Sequence, residues 1–252
     1  MARQNLRFAM VLAALAVAVA PRVGAAAQGN AQALALLANA HTRSERGDLA
    51  GALDAAGRAA ALAPDYPEVH ATLAVLHHRQ GDSAQAAEHY TRFQLLSLRE
   101  RGCADDDLTQ RIAEAEGTMV LLVNSERLLR RQPPLRPDCT LSEMARAHSD
   151  DMRDRGYFSH ESPVLRHRTI GDRFRRAFGR PARALAENIS RMTGTLWSFT
   201  PENIRDSHDR LMRSPGHCAN ILWDRPTSIG VGIAVSGRGD YWITEDFALL
   251  EP

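Results

Sequence analysis

Apolar side chains recur at spacings of three and four residues in the middle of the chain, which is the period of an amphipathic helix. The clearest stripe consists of Leu141, Met144, Ala145, His148 and Met152. It predicts a helix over residues 140–155 that ends at Gly156. Because His148 lies on this apolar stripe, we expect it to be a core histidine with satisfied hydrogen bonds rather than a ligand.

A second amphipathic segment, residues 170–180, separates apolar from basic side chains. One predicted face carries Ile170, Phe174, Ala177 and Phe178, and the arginines Arg173, Arg175, Arg176 and Arg180 point away from it. Within residues 166–183, seven arginines accompany the single acid Asp172. Such a surface is either a solvated helix face or a docking face for anionic lipid headgroups or cell-wall phosphates.

The period changes near the C-terminus, where apolar residues become dense over short segments. The stretches "SIGVGIAV" and "YWITEDFAL" flank the turn-rich "SGRGD", and this arrangement predicts a β-hairpin over residues 228–249. Helices precede these strands, and no alternation of strand and helix precedes them. The sequence therefore predicts an α+β domain with an antiparallel sheet.

The N-terminal segment of residues 29–101 is rich in alanine and contains an internal repeat. The stretches "GDLAGALDAAGRAAALAPDYPE" and "GDSAQAAEHYTRF" begin at Gly47 and Gly81, which are 34 residues apart. That period resembles the tetratricopeptide repeat, and the small residues Ala52 and Ala86 fit the place where its paired helices approach. A generic pair of helical hairpins is the alternative. About three repeats are needed for a module that is stable by itself. Because this segment has only two, we expect it to pack on its neighbour.

Two further segments divide the chain. A basic start followed by the apolar residues 8–20 and the small residues "GAAAQG" predicts a signal peptide over residues 1–27, with an uncleaved anchor as the alternative. We therefore expect an exported protein in the periplasm or outside the cell. The charged stretch "RERGCADDDLTQ" predicts a domain boundary, in which Asp105 to Asp107 offer a cap to the next helix. The second domain is then expected over residues 106–250.

Composition excludes several classes of protein. The 31 basic side chains are all arginine, so Schiff-base lysines, pyridoxal phosphate anchors and phosphate loops with a Gly-Lys motif are ruled out. A formal net charge of +1 supplies no field that would attract nucleic acid, and no such partner is expected. In an oxidising compartment, the three cysteines can form one disulfide bond and leave one thiol.

Two reactive side chains, His217 and Cys218, are adjacent in the stretch "RLMRSPGHCANI". His217 could be a metal ligand, half of a Cys-His nucleophilic pair, or a structural residue beside a disulfide. Neighbouring residues on a helix point about 100° apart, so these two do not form a natural catalytic dyad with each other. A thiol enzyme that uses another histidine, such as His160, stays open at this point.

Seven separated motifs resemble one family, the bacterial secreted branch of the CAP superfamily, which comprises cysteine-rich secretory, antigen 5 and pathogenesis-related proteins. They occur in family order over residues 119–249. The motifs are "LLVNSERLLRRQPPL" with "LSEMARAHSDDM", "GYFSHESP", "LAENIS", "SPGHCANIL", "IGVGIAV" and "YWITEDFA". The resemblance implies an α-β-α sandwich with a central antiparallel sheet and a cleft on one side.

In this family two histidines and two acids line the cleft and can hold a divalent metal such as zinc. The resemblance assigns three of these positions to His160, Glu187 and His217. The fourth acid is replaced, because Ser214 stands where we align it. Two imidazoles and one carboxylate still form a chemically sensible metal triad with an open position for water. Glu245 is interpreted as a solvated strand residue and left out of the site.

The family pattern also pairs Cys139 with Cys218 in a disulfide bond and leaves Cys103 over. Such a bond would close a loop of 79 residues and stabilise the fold by about 4 kcal/mol in the loop-entropy treatment.

Two functions remain in competition. The first is a non-enzymatic module of the cell envelope, with an apolar or envelope ligand in the cleft and a protein or peptide partner on the helical repeats. The second is a metal-dependent hydrolase in which His160 and His217 bind the ion and Glu187 binds it or acts as general base. The missing fourth acid favours the first.

Overall fold

The computed structural model describes residues 30–194 and 198–250, and the chain divides into two compact units between Val69 and His70. The predicted signal peptide, residues 1–27, lies outside the described residues. No helix in the described ranges is long and apolar enough to cross a membrane.

The first unit contains helix α1 (residues 30–45), helix α2 (Leu49–Leu62) and the start of helix α3 (Pro67–Gln80). Its buried side chains are mainly alanines, as the composition predicts. Gly47 turns the chain with φ 82°, and Asp48 caps α2 by accepting a hydrogen bond from the backbone of Gly51. The same turn recurs 34 residues later, where Gly81 has φ 88° and Asp82 caps the next helix. Assignment to the tetratricopeptide family stays a prediction.

The second unit combines the remaining helices with one sheet. Its helices are α4 (Ser83–Glu100), α5 (Asp107–Leu129), α6 (Cys139–Arg155), α7 (Ile170–Phe178), α8 (Pro201–Arg213) and α9 (Pro215–Ile221), with a 3-10 turn at Leu165–His167. Asp106 caps α5 by accepting from the backbone of Thr109, as predicted for the run of three aspartates. Because α4 packs along α5, the segment predicted to join the two domains lies inside this unit.

The sheet has four strands in the order β1-β3-β4-β2: β1 (Arg136–Pro137), β2 (Leu185–Met192), β3 (Ser228–Val235) and β4 (Tyr241–Ala248). Strands β3 and β4 form the predicted hairpin, and β2 adds to β4 in antiparallel register. The sheet is mixed rather than wholly antiparallel, because the two-residue β1 runs parallel to β3. Such a short strand containing a proline suits a sheet edge. The combination of helices with this sheet agrees with the predicted α+β class.

Helix α6 lies directly on the sheet because glycines in "IGVGIAV" leave room for it. A Cβ atom added at Gly230 would lie 2.2 Å from a backbone carbon of Leu141, and one at Gly232 would lie 2.0 Å from the backbone nitrogen of Arg146. Buried Arg146 then reaches Glu116 of α5 at 2.7 Å, and Glu116 also accepts from the backbone of Ile233 at 3.0 Å. These contacts fix α6, which leads into the loop that carries His160.

Candidate functional site

His160 lies on the loop between α6 and α7, and Glu187 lies on β2. The Nδ1 atom of His160 is 2.8 Å from Oε1 of Glu187. The two side chains differ sharply in exposure, since that of His160 is 54% exposed and that of Glu187 is 2% exposed. The contact therefore ties a solvent-facing imidazole to a buried carboxylate and leaves Nε2 of His160 outside this hydrogen bond.

Arg173 binds the second carboxylate oxygen of Glu187. Its guanidinium donates to Oε2 of Glu187 and also to the carbonyl oxygens of His160 and Arg168, at 3.3 and 3.2 Å. The expectation that Arg173 points away from the buried face of its helix is wrong, because the residue is only 5% exposed. The signal was present in the spacing: Arg173 follows Ile170 by three residues, which places both on one helix face.

The surroundings of Glu187 keep it ionised. Burial alone would raise its pKa, but the hydrogen bond from His160 and the charge of Arg173 outweigh burial and lower the pKa below its usual value. His148 lies 3.8 Å from the same carboxylate, and burial lowers the pKa of His148 to about 4. His148 is 1% exposed, and its Nε2 contacts the carbonyl oxygen of Ser159 at 3.1 Å. His148 is thus buried as the sequence predicts and borders Glu187, but the prediction that its hydrogen bonds are satisfied is wrong for Nδ1, which is buried without a hydrogen-bond partner.

His217 approaches this pair from helix α9. Burial lowers its pKa, and the nearby charge of His160 lowers it further. The side chain of Asn188, the residue after Glu187, donates to the carbonyl oxygen of His217 at 3.2 Å. The three residues assigned from the family motifs are therefore neighbours, although they stand on a loop, a strand and a helix.

A metal fits this site only in part. The two imidazoles suit a zinc-like ion, but both oxygens of Glu187 already accept hydrogen bonds, one from His160 and one from Arg173. Glu187 therefore fits as the carboxylate that orients a histidine ligand, a common arrangement behind metal-bound imidazoles. Among the described residues, no group of three or more His, Cys, Asp or Glu side chains is gathered so that it could hold an ion.

Two hydrogen bonds hold the ends of the loop that carries His160. The hydroxyl of Tyr157 donates to Asp151 at 2.6 Å, and that of Ser162 donates to the same carboxylate at 2.7 Å. Both donors lie within three residues of His160, one on each side, so Asp151 at the end of α6 fixes where the imidazole stands. Sequence reasoning missed this role, because the partners are 6 and 11 residues from Asp151 on an irregular loop.

Glu245 is not solvated, and that expectation is wrong. It is fully buried on β4, where Asn188 donates to it at 3.0 Å and burial raises its pKa to about 7. Asn220 of α9 in turn donates to Asn188 at 2.9 Å. The cause is that all of β4 is buried, so neither face of the strand is free for a solvated acid.

The sequence analysis also singled out Ser214, the cysteines and the arginines of residues 166–183. Ser214 separates α8 from α9 and makes no side-chain cap to α9. No disulfide bond joins the cysteines in the described parts of the chain, so the pairing of Cys139 with Cys218 stays a prediction. Of the arginines in residues 166–183, all but Arg173 are exposed.

Comparison with known proteins gives one family. Residues 120–247 match the model of CAP, the cysteine-rich secretory protein family. The uncharacterized protein YkwD of Bacillus subtilis (strain 168) is 34% identical over 154 residues, which are 60% of this chain and 55% of that protein. The chain thus spans about half the length of this curated relative.

Two solved structures are similar to parts of the chain. One is an extracellular protein containing an SCP domain from Bacillus anthracis str. Ames, with a TM-score of 0.48 and 28% identity over 59% of this chain and 44% of that one. The other is an outer surface protein from Borrelia burgdorferi, with a TM-score of 0.47 and 13% identity over 55% of this chain and 94% of that one.

Proposed function

Because the chain belongs to the cysteine-rich secretory protein family, we propose that it is an exported binding module of the cell envelope. In this proposal the cleft beside His160, Glu187 and His217 holds an apolar or envelope ligand. The N-terminal helical repeats hold a protein or peptide partner. The signal-peptide pattern of residues 1–27 supports export, to the periplasm or the outside of the cell.

The observation that carries the proposal is the pair of large apolar side chains on the His160 loop. Phe158 is 42% exposed and Leu165 is 79% exposed, so both face solvent within five residues of the imidazole. The guanidinium carbon of Arg191 lies 5.2 Å from the centre of the Phe158 ring and supports one side of it. A solvent-facing imidazole of fixed orientation between exposed apolar side chains suits a ligand with an apolar body and a polar group.

The cleft test measures bound lipid. Protein purified without detergent is extracted, and the extract is analysed by mass spectrometry. The double variant with Phe158→Ser and Leu165→Ser should lose bound lipid, whereas Leu129→Ser should not, since Leu129 is 78% exposed at the end of α5. An empty wild-type cleft, or equal lipid content in all three proteins, contradicts the proposed ligand.

The partner test concerns the helical repeats. Leu34 on α1 and Leu62 on α2 are 49% and 46% exposed, which suits contact with an apolar side chain of a peptide or protein. Photo-crosslinking from each position in the intact, exported chain should give a discrete adduct with an envelope protein. The double change Leu34→Ser and Leu62→Ser should weaken binding of that protein after its purification. The absence of any discrete adduct speaks against a partner on these helices.

A metal-dependent hydrolase is the second candidate, and the hydrogen bond between His160 and Glu187 favours it. A histidine whose Nδ1 is held by a carboxylate has a fixed orientation, so its other nitrogen is aimed either at an ion or at a water molecule. His160 and His217 would hold the ion, which would supply a water molecule of lowered pKa. Metal content at pH 7.5 should then be stoichiometric and fall in His160→Ala and His217→Ala. Without stoichiometric metal in the wild type, this candidate is eliminated.

A further inference from the structure

Three histidines outside the cleft face one another between α3 and α4. His70 and His77 lie seven residues apart on α3, which places them about 10.5 Å apart along one side of the helix. His89 of α4 stands between them: its ring centre is 5.3 Å from that of His70 and 5.5 Å from that of His77. Histidine is the commonest protein ligand of transition metals.

The Nδ1 atoms of two of these rings have the spacing of metal ligands. Nδ1 of His70 lies 3.0 Å from Nδ1 of His89. With metal–nitrogen bonds of about 2.05 Å, two nitrogens 3.0 Å apart subtend about 94° at a shared ion. That angle is close to the one between neighbouring ligands in square-planar or tetragonal copper and nickel sites, which is about 90°.

The cluster also offers a neutral imidazole and a further nitrogen that could serve as a metal ligand. Burial, together with the facing imidazoles of His70 and His77, lowers the pKa of His89 to about 4, so the ring is neutral at pH 7. A neutral imidazole is the form that binds metal. Nδ1 of His77 is buried and makes no hydrogen bond, which leaves a donor nitrogen beside the other two rings.

We propose that His70, His77 and His89 form a second site, which binds a divalent late transition metal and joins α3 to α4. His70 and His89 supply the two ligands already in place, and water fills the remaining positions. No set of three donors in the described residues yet surrounds a single point, so His77 turns toward the ion on binding. It stands near the end of α3, which ends at Gln80. Imidazole ligands favour Cu²⁺ over Ni²⁺ and Zn²⁺ in affinity.

This site is independent of the proposed function, and its test separates it from the cleft. The mature chain is prepared without a polyhistidine tag and titrated calorimetrically at pH 7.5 with Cu²⁺, Ni²⁺ and Zn²⁺ chloride in turn. We expect one ion per chain at this site. His70→Asn and His89→Asn should each weaken binding by more than the about 10–100-fold that loss of an outer-shell partner costs, and His77→Asn by less. His41→Asn is the matched control, because His41 is a 54% exposed histidine of α1.

The double variant with His160→Asn and His217→Asn assigns the bound ion to one site. If that variant keeps full affinity, the ion sits between α3 and α4. If it alone abolishes binding, or if His70→Asn and His89→Asn bind as the wild type does, the second site is overturned. Electron paramagnetic resonance of Cu²⁺ bound to this double variant tests the site without any substitution in α3 or α4. It should show coupling to at least two imidazole nitrogens, and the absence of such coupling also overturns the proposal.

Discussion

Replacing Arg173 by methionine should destabilise the second unit severely. The side chains of Arg173 and Glu187 are 5% and 2% exposed, and the guanidinium donates directly to the carboxylate. The variant keeps most of the side-chain volume but leaves the Glu187 charge buried with only His160 to offset it. Breaking a buried pair on one side costs about 3–5 kcal/mol. For a unit of this size, about 2–4 °C per kcal/mol corresponds to a fall in Tm of about 6–20 °C.

Arg175→Met is the matched control for this change. Arg175 lies on the same helix, its side chain is 62% exposed, and it faces Asp172 at 3.4 Å. An exposed pair of this kind contributes about 0–1 kcal/mol. Adding Glu187→Gln to Arg173→Met should restore part of the lost stability, because the buried charge is then removed while the hydrogen bond to His160 can persist.

The assay is urea unfolding followed by tryptophan fluorescence, since Trp223 and Trp242 lie in the second unit. The pH dependence supplies a second check. The pKa of folded Glu187 lies below its unfolded value of 4.5, so its contribution is complete above that value and is lost as the pH falls through the folded pKa. The gap between wild type and Arg173→Met should therefore narrow in acid. A loss no larger than that of Arg175→Met would refute the reasoning.

Three further predictions concern the sheet and the cysteines. Gly232→Ala should lower the free energy of unfolding by about 3 kcal/mol, because the new Cβ meets backbone 2.0 Å away, whereas Gly57→Ala, with nothing within 4 Å, should not destabilise; equal urea midpoints would contradict this. Burial raises the folded pKa of Glu245 to about 7, above its usual 4.5, so the wild type should lose stability relative to Glu245→Gln as the pH rises from 4.5 to 7; parallel pH curves would exclude the effect. If Cys139 and Cys218 are paired, thiol titration in denaturant should find one thiol before reduction and three after it; three before reduction would disprove the bond.

Local patterns predicted helix α6 and the hairpin of β3 and β4 well. The stripe that includes Leu141 and Met152 predicted α6 to within a residue at its start, and Gly156 ends the helix in the left-handed conformation, with φ 69°. The hairpin of β3 and β4 was also predicted, because dense apolar residues on either side of a turn leave few other arrangements. The two-residue β1 was not predicted, since pairing with β3 rather than its own sequence defines it.

The sequence by itself determined the family and the position of most helices and strands, because these depend on residue types at short spacings. Only the tertiary structure decided which partners surround Glu187 and Glu245. Arg173 and Glu245 are ordinary charged residues in the sequence, and both are buried in the folded chain. Burial and the neighbouring side chains, which donate hydrogen bonds or carry charge, set the pKa values of Glu187 and Glu245. Those quantities depend on the surrounding solvent and dipoles, which no short stretch of sequence contains.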